Sequence, residues 1–124
     1  MNTDQKDALS ESPIALLASR QLEAYNRADL DAFCACYHPE VIVYDAQGQI
    51  SVQGAQAFRA RYAPMFAQGQ FGASVPERMV MGEHCIDREF YWREAVADRE
   101  AAKGEVLVRY RLKDQLIGEV QFFH

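Results

Sequence analysis

Leu22-Glu-Ala-Tyr-Asn-Arg-Ala-Asp-Leu-Asp-Ala-Phe-Cys-Ala-Cys-Tyr-His-Pro-Glu-Val-Ile-Val-Tyr-Asp45 runs from the end of one helix, through a second, into a strand. Upstream of it, Ser12-Pro13 reads as a helix start, with Ser as N-cap and Pro at the first helical position, where its missing N–H costs nothing. Ile14, Leu17, Gln21, Ala24 and Tyr25 then fall on one face at helical spacing, with Leu16 and Leu22 on its flanks. Asn26-Arg27-Ala28 breaks that helix, and Asp29 caps a short second one through Leu30, Phe33 and Tyr37. His38-Pro39 ends it, because proline disfavours helical geometry in the residue before it. The β-branched run from Val41 to Asp45 is a strand.

Working outward from there, Ala46-Gln47-Gly48-Gln49 is a turn and Ile50-Ser51-Val52 returns the chain as a hairpin. Gly54 opens a third helix with Ala55, Phe58, Tyr62, Met65 and Phe66 on its inner side; Pro64 is expected to kink it or end its regular part. Residues 68–72 form a loop. Four strands follow, around 73–81, 84–96, 105–113 and 116–123, with 98–104 as a charged hairpin end. Three helices in the first half and a largely antiparallel sheet mean an α+β fold, the helices packed on one sheet face. The spacing predicts a tail over 1–11 and a single domain over 12–124.

With 124 residues, 49% apolar and 25% charged, the chain suits one globular domain with a real core. A net charge of −5 argues against a nucleic-acid partner read through phosphates. No apolar run is long enough to span a membrane, and no signal-type segment opens the chain. The expected setting is therefore cytoplasmic. Cys34, Cys36 and Cys85 are odd in number and lack a Cys-x-x-Cys pair, and His38, His84 and His124 are scattered. Buried free thiols and no metal site are the expectation.

Alternation assigns strand side chains to faces. Val106, Val108, Tyr110 and Leu112 form one apolar row, and Glu105, Arg109 and Arg111 the opposite one. In the long strand, Ile86, Phe90 and Trp92 share a side, which we take as inward, with Arg88 among them; Asp87, Glu89 and Arg93 take the other. Asp45 has the parity of Val41 and Val43. Gln21, Asp45 and Arg88 are thus polar exceptions on faces expected to look inward, which points to a common cavity, since buried charge is costly unless paired or hydrogen-bonded. An Asp just before a hairpin turn also caps such turns locally, and Arg88 is equally suited to an ion pair with Asp45.

The Leu22–Asp45 stretch, with Asn26-x-x-Asp-Leu-Asp31 at its centre, resembles nuclear-transport-factor-2-like domains, which include ketosteroid isomerase and the SnoaL-like polyketide cyclases. Cys85-Ile-Asp-Arg-Glu89 and the ending Gln115-Leu-Ile-Gly-Glu-Val-Gln-Phe-Phe123 extend the resemblance to residues 13–123. It implies a cone, a curved sheet wrapped around a long first helix and enclosing an apolar pocket, and a homodimer formed through the outer sheet face. Asp45 falls where ketosteroid isomerase carries its general base, an enzyme whose Tyr and protonated Asp form the oxyanion hole. Gln21 stands at the position of that Tyr and Val108 at that of the second Asp. The expected activity is a cofactor-free isomerase, cyclase or dehydratase. Asp45 would move a proton, Gln21 and Arg88 would stabilise an oxyanion, and Tyr62, Trp92, Phe58 and Tyr110 would hold an apolar small molecule. The alternative is a non-catalytic module that binds a hydrophobic ligand in the same cone.

Overall fold

The computed structural model describes residues 12–124; the tail expected over 1–11 lies outside the described residues. Helix α1 (Pro13–Asn26) starts at Ser12, whose hydroxyl accepts from the Ala15 N–H. Its buried face is Ile14, Ala15, Leu17, Ala18, Gln21 and Ala24, the stripe the sequence indicates. The chain leaves α1 through Ala28, which takes a positive φ of 54°. Asp29 then accepts from the Ala32 N–H and starts α2 (Leu30–Cys34).

The residues of the Asn-x-x-Asp-Leu-Asp element each hold a joint. Asn26 donates to the Ala73 carbonyl at 3.0 Å and accepts from the Ala73 N–H at 2.8 Å, so its amide pairs with a strand edge as another strand would. Asp29 caps α2. Asp31 pairs with Arg59 and ties α2 to the third helix.

Strand β1 (Tyr37–Tyr44) begins earlier than Val41, the start expected from the sequence. The residues in question explain the difference. Proline at 39 pushes His38 to extended backbone, and that same preference lets a strand begin where the helix has stopped. Tyr37 therefore opens a strand and does not close a helix. β2 (Ile50–Gln53) completes the hairpin, and α3 (Ala55–Gln68) follows. Pro64 sits inside α3 without ending it, and Phe58 and Phe66 form its buried side.

The second half is β3 (Phe71–Met81), β4 (His84–Arg93), β5 (Ala102–Lys113) and β6 (Leu116–Phe123). β4 is shorter than the expected 84–96: the chain turns away after Arg93, and Val96 instead makes an isolated bridge to Arg99. The six strands form one curved, open sheet in the order β2-β1-β6-β5-β4-β3, antiparallel except for the β1–β6 pair. The α+β architecture is as the sequence indicates. α1 lies across the concave face, and the core between them includes Ile14, Ala18, Val41, Cys85, Val108 and Ile117, all essentially inaccessible.

A buried ion pair helps fasten α1 to the sheet. Asp87 on β4 is fully buried and receives both arms of Arg78 from β3, at 2.6 and 2.9 Å. The remaining guanidinium nitrogen of Arg78 reaches the Ser19 hydroxyl at 2.6 Å and the Ala15 carbonyl at 3.2 Å on α1. The charge is thereby paired and hydrogen-bonded together, the condition under which a buried carboxylate is tolerated.

Candidate functional site

The concave face encloses a cavity of about 630 Å³ between α1, α3 and strands β4, β5 and β6. Its wall is mostly aromatic. Phe33 on α2 is the hub, with ring centroids 5.0–6.0 Å from those of Tyr25, Tyr37, Phe58, Tyr62 and Phe66. Such contacts are favourable beyond the area they bury, and they leave a smooth apolar wall on the helical side.

Gln21 lines this cavity and is 4% exposed. Its amide nitrogen donates to the Ala18 carbonyl at 2.9 Å and to the Tyr110 hydroxyl at 3.1 Å; its oxygen accepts from the Tyr37 hydroxyl at 3.0 Å. Because a carbonyl can only accept, the Ala18 contact fixes which end of the amide is nitrogen. Two consequences follow. Tyr37 spends its proton on Gln21, whereas Tyr110 accepts from Gln21 and keeps its own O–H free to donate into the cavity. Burial pushes both phenols well above their ordinary range, so both are neutral donors at any ordinary pH.

Across the cavity stands Glu89, on β4 opposite Val106. Among the described residues it makes no ion pair. Burial, with a smaller contribution from the nearby Asp87 carboxylate, raises its pKa from 4.5 to about 7. Its charge is felt at the hydroxyls of Tyr25, Tyr37, Tyr62 and Tyr110, so the carboxylate looks into a ring of phenols. Tyr25 is raised to about 12, mainly by burial. At the same wall Tyr91 lies over Gly104, where an added Cβ would sit 2.8 Å from the Tyr91 hydroxyl; the glycine makes room for that ring.

The structure brings Gln21, Tyr110, Phe58 and Tyr62 together around one cavity and leaves Asp45, Arg88 and Trp92 out of it. Asp45 is a turn residue. Its carboxylate accepts from the N–H groups of Gln47 and Gln49 at 3.0 and 2.9 Å, and its carbonyl accepts from Gly48 and from the Gln121 amide. Those bonds satisfy the carboxylate at the end of the hairpin, away from the aromatic wall. Arg88 lies on the convex face, paired with Glu77 at 2.6 Å and with Glu105, its guanidinium over the Phe90 ring. It makes no ion pair with Asp45. Trp92 is also on the convex face, 46% exposed, its indole covering Gly72.

A single inversion accounts for Arg88, Trp92 and the missed Glu89. Alternation along β4 is as expected, but the row Ile86, Arg88, Phe90, Trp92 faces out, and Cys85, Asp87, Glu89, Tyr91 face in. Apolar content pointed the wrong way, because the convex face carries large apolar side chains of its own. The signal that finds Glu89 is register: Cys85 pairs with Tyr110 and Asp87 with Val108, and directly paired residues share a face. The β5 row of Val106, Val108 and Tyr110 points inward as the sequence indicates, and it carries the β4 row with it.

Among the described residues, no three or more His, Cys, Asp or Glu side chains are grouped so that they could hold a metal ion. No described helix is long and apolar enough to cross a membrane. Cys36 and Cys85 are buried thiols and Cys34 is half-buried.

Comparison with known proteins adds the following. The family pattern described as the SnoaL-like domain matches residues 18–120. A cystatin-fold protein from Novosphingobium aromaticivorans superposes with a TM-score of 0.82 at 21% identity, over 91% of this chain and 98% of that one. A Mycobacterium tuberculosis protein, crystallised with estradiol-17beta-hemisuccinate, gives 0.80 at 13% identity over 92% and 95%. A putative polyketide cyclase from Sinorhizobium meliloti gives 0.69 at 18% over 86% and 92%. At these identities the likeness establishes the fold alone. No curated protein matches the chain in sequence.

Proposed function

The chain belongs to the SnoaL-like domain family, and on that premise we propose that it is a cofactor-free enzyme of the isomerase or cyclase type, moving a proton next to a carbonyl of an apolar small molecule. The observation that carries this reading is Glu89, a cavity carboxylate raised to about 7 by burial and making no ion pair among the described residues. A base works best when its pKa lies near the working pH, since it is then both available and strong enough to take the proton. Glu89 removes a proton from the carbon beside the carbonyl, the electrons move onto the carbonyl oxygen, and the free Tyr110 O–H donates to that oxygen as charge develops. Glu89 then returns the proton to a different carbon. Gln21 does not touch the substrate; it positions Tyr110 and keeps that hydroxyl's proton pointed away from the helix. Phe58 and Tyr62 supply apolar contact. The estradiol ester held by the M. tuberculosis relative, and the polyporic acid co-crystallised with another structural neighbour, give the size and ring character of a reasonable substrate.

The test is solvent-deuterium exchange and double-bond migration with a β,γ-unsaturated ketosteroid and related cyclic ketones. Glu89→Gln should lower turnover by about 100-fold or more, the usual worth of a positioned base, and Tyr110→Phe by about tenfold or more. Wild-type rates should rise with pH through about 7, as Glu89 loses its proton. If wild-type protein binds such ketones in the cavity yet returns all of them unexchanged, the enzymatic reading fails. The reading of a non-catalytic ligand carrier then stands. One observation favours it: at the position of ketosteroid isomerase's second oxyanion donor this chain carries Val108, which is buried and has no proton to give.

We further propose that a second copy of the chain covers the convex face of the sheet. Met79, Met81, Ile86, Phe90, Trp92 and Leu107 are exposed there, and Met79 and Ile86 are direct cross-strand neighbours. A contiguous apolar patch of this kind marks an interaction surface. Light scattering should give a dimer for the wild type and a monomer for Ile86→Glu. A wild-type monomer at micromolar concentration would refute the pairing.

A further inference from the structure

The mouth of the cavity carries charge that the proton-transfer reading does not use. Arg61, Arg93 and Arg99 all line it, against Glu89 deeper in, Asp98 and His124 at the rim. In a chain of net charge −5 this is a local concentration of cations. Arg99 is the most constrained of them. Its Nε and Nη2 are anchored to backbone carbonyls of Gly69, Gln70 and Glu94 at 2.9–3.1 Å, which bind the α3–β3 turn to the segment after β4. Its remaining nitrogen, Nη1, is buried and makes no hydrogen bond among the described residues. Arg93 stands near it, its guanidinium 5.3 Å from the centre of the Tyr91 ring and making no ion pair among the described residues. The charges of both Arg93 and Arg99 are felt at the Tyr25 hydroxyl, which lines the same cavity.

A buried N–H of a charged group is expensive to leave without an acceptor. A guanidinium whose other two nitrogens are tied to carbonyls is also pre-oriented, so a ligand oxygen gains its bond without ordering a long side chain. We infer that the cavity takes an apolar molecule bearing one acidic group, such as a carboxylate, whose oxygen accepts a hydrogen bond from Arg99 Nη1, with Arg93 beside it. The ring or chain body lies against Phe33, Phe58 and Tyr62. The inference deepens the proposed function by naming the substrate class, and it rests on that reading only for the claim that the ligand is then transformed. An acid headgroup at Arg99 places the body of the molecule between the mouth and the Gln21–Tyr110 pair, across the Glu89 carboxylate.

The experiment compares two fluorescent probes of nearly equal shape, anilinonaphthalene sulfonate, which is anionic, and N-phenylnaphthylamine, its uncharged counterpart. Both are titrated into wild type, Arg99→Gln, Arg93→Gln and Glu89→Gln in low and moderate salt. Wild type should bind the sulfonate at least tenfold more tightly than the amine, and the margin should shrink as salt rises. Arg99→Gln should abolish the margin while leaving amine affinity within about twofold, which shows that the cavity is still formed even though the carbonyl anchors are lost. Arg93→Gln, which has no such anchors to lose, should reduce the margin in part. Equal wild-type affinities for the two probes, or an Arg99→Gln loss shared equally by both, would overturn the acid site. The outcome is separable from the catalytic test: Glu89→Gln should retain or strengthen sulfonate binding, so a protein that fails as an enzyme can still pass here, and the reverse.

Discussion

Arg78→Met should lower the unfolding free energy by about 3–5 kcal/mol, the usual consequence of stranding one partner of a buried ion pair. Asp87 has no accessible surface, and both its oxygens are taken by Arg78. Among the described residues only the Cys85 thiol, at 3.4 Å, is otherwise placed to donate to it. The same substitution frees the Ser19 hydroxyl and the Ala15 carbonyl, so α1 loses one of its polar links to the sheet along with the charge. For a domain this size the midpoint of thermal unfolding should fall by roughly 10–20 °C. Arg78→Lys should be intermediate, because an ammonium cannot reproduce the two-pronged contact. The double variant Arg78→Met/Asp87→Leu should recover most of the loss, since a well-packed apolar pair often replaces a buried ion pair at little cost. Urea denaturation of the set decides the matter: a single variant within 1 kcal/mol of wild type would mean that Asp87 is hydrated in solution.

Glu89→Gln should do the opposite and stabilise the protein, in a pH-dependent way. The folded protein holds the Glu89 proton more tightly than the unfolded chain, with a pKa of about 7 against an ordinary 4.5. Between those values the folded state binds more protons, so stability conferred at this position falls as pH rises. Below about pH 4.5 both states are protonated and there is no penalty; above about pH 7 the full penalty applies, roughly 3 kcal/mol. Glutamine has the shape of the neutral acid and never ionises. The stability difference between variant and wild type should therefore be near zero at pH 4, grow through pH 5–7 and level off above. Parallel stability curves across that range would show that the Glu89 carboxylate is solvated, and would remove the basis for its role as a base at neutral pH. A position that costs stability while its neighbours pack well is what a functional group looks like energetically.

The two variants probe adjacent inward positions of one strand. Asp87 and Glu89 are both carboxylates two residues apart on the same face, yet one is neutralised by Arg78 and the other is left to desolvation. Two like groups on one face are thus held in unlike environments, one paired with a cation and the other buried against phenols.

Much of this protein is written in its sequence. Ser12-Pro13, Asp29 and the stripe from Ile14 to Ala24 fix the first two helices through local hydrogen bonds and helical period, which need no knowledge of distant residues. The β5 row of Val106, Val108 and Tyr110 is likewise unambiguous, since the opposite row is charged except for Leu107. Gln21 was legible as a polar residue on a buried stripe, and Phe58, Tyr62 and Tyr110 as aromatics on inward faces. Asp45 was legible too, but in its local role as a turn cap, and its alignment with a catalytic position elsewhere in the family drew it into a pocket it does not reach.

What tertiary structure alone decided is which side of β4 looks inward. Both rows of that strand carry apolar groups, Cys85 and Tyr91 on one side and Ile86, Phe90 and Trp92 on the other, so composition does not choose between them. The choice is made by the register of β4 against β5, where a slip of one residue exchanges every side chain between the faces. The connection between Arg93 and Ala102 is itself pinned by Arg99 to the carbonyls of Gly69, Gln70 and Glu94. The pairing of β4 with β5 is a tertiary contact that local sequence does not encode, and it sets Glu89 into the cavity and Arg88 and Trp92 outside it.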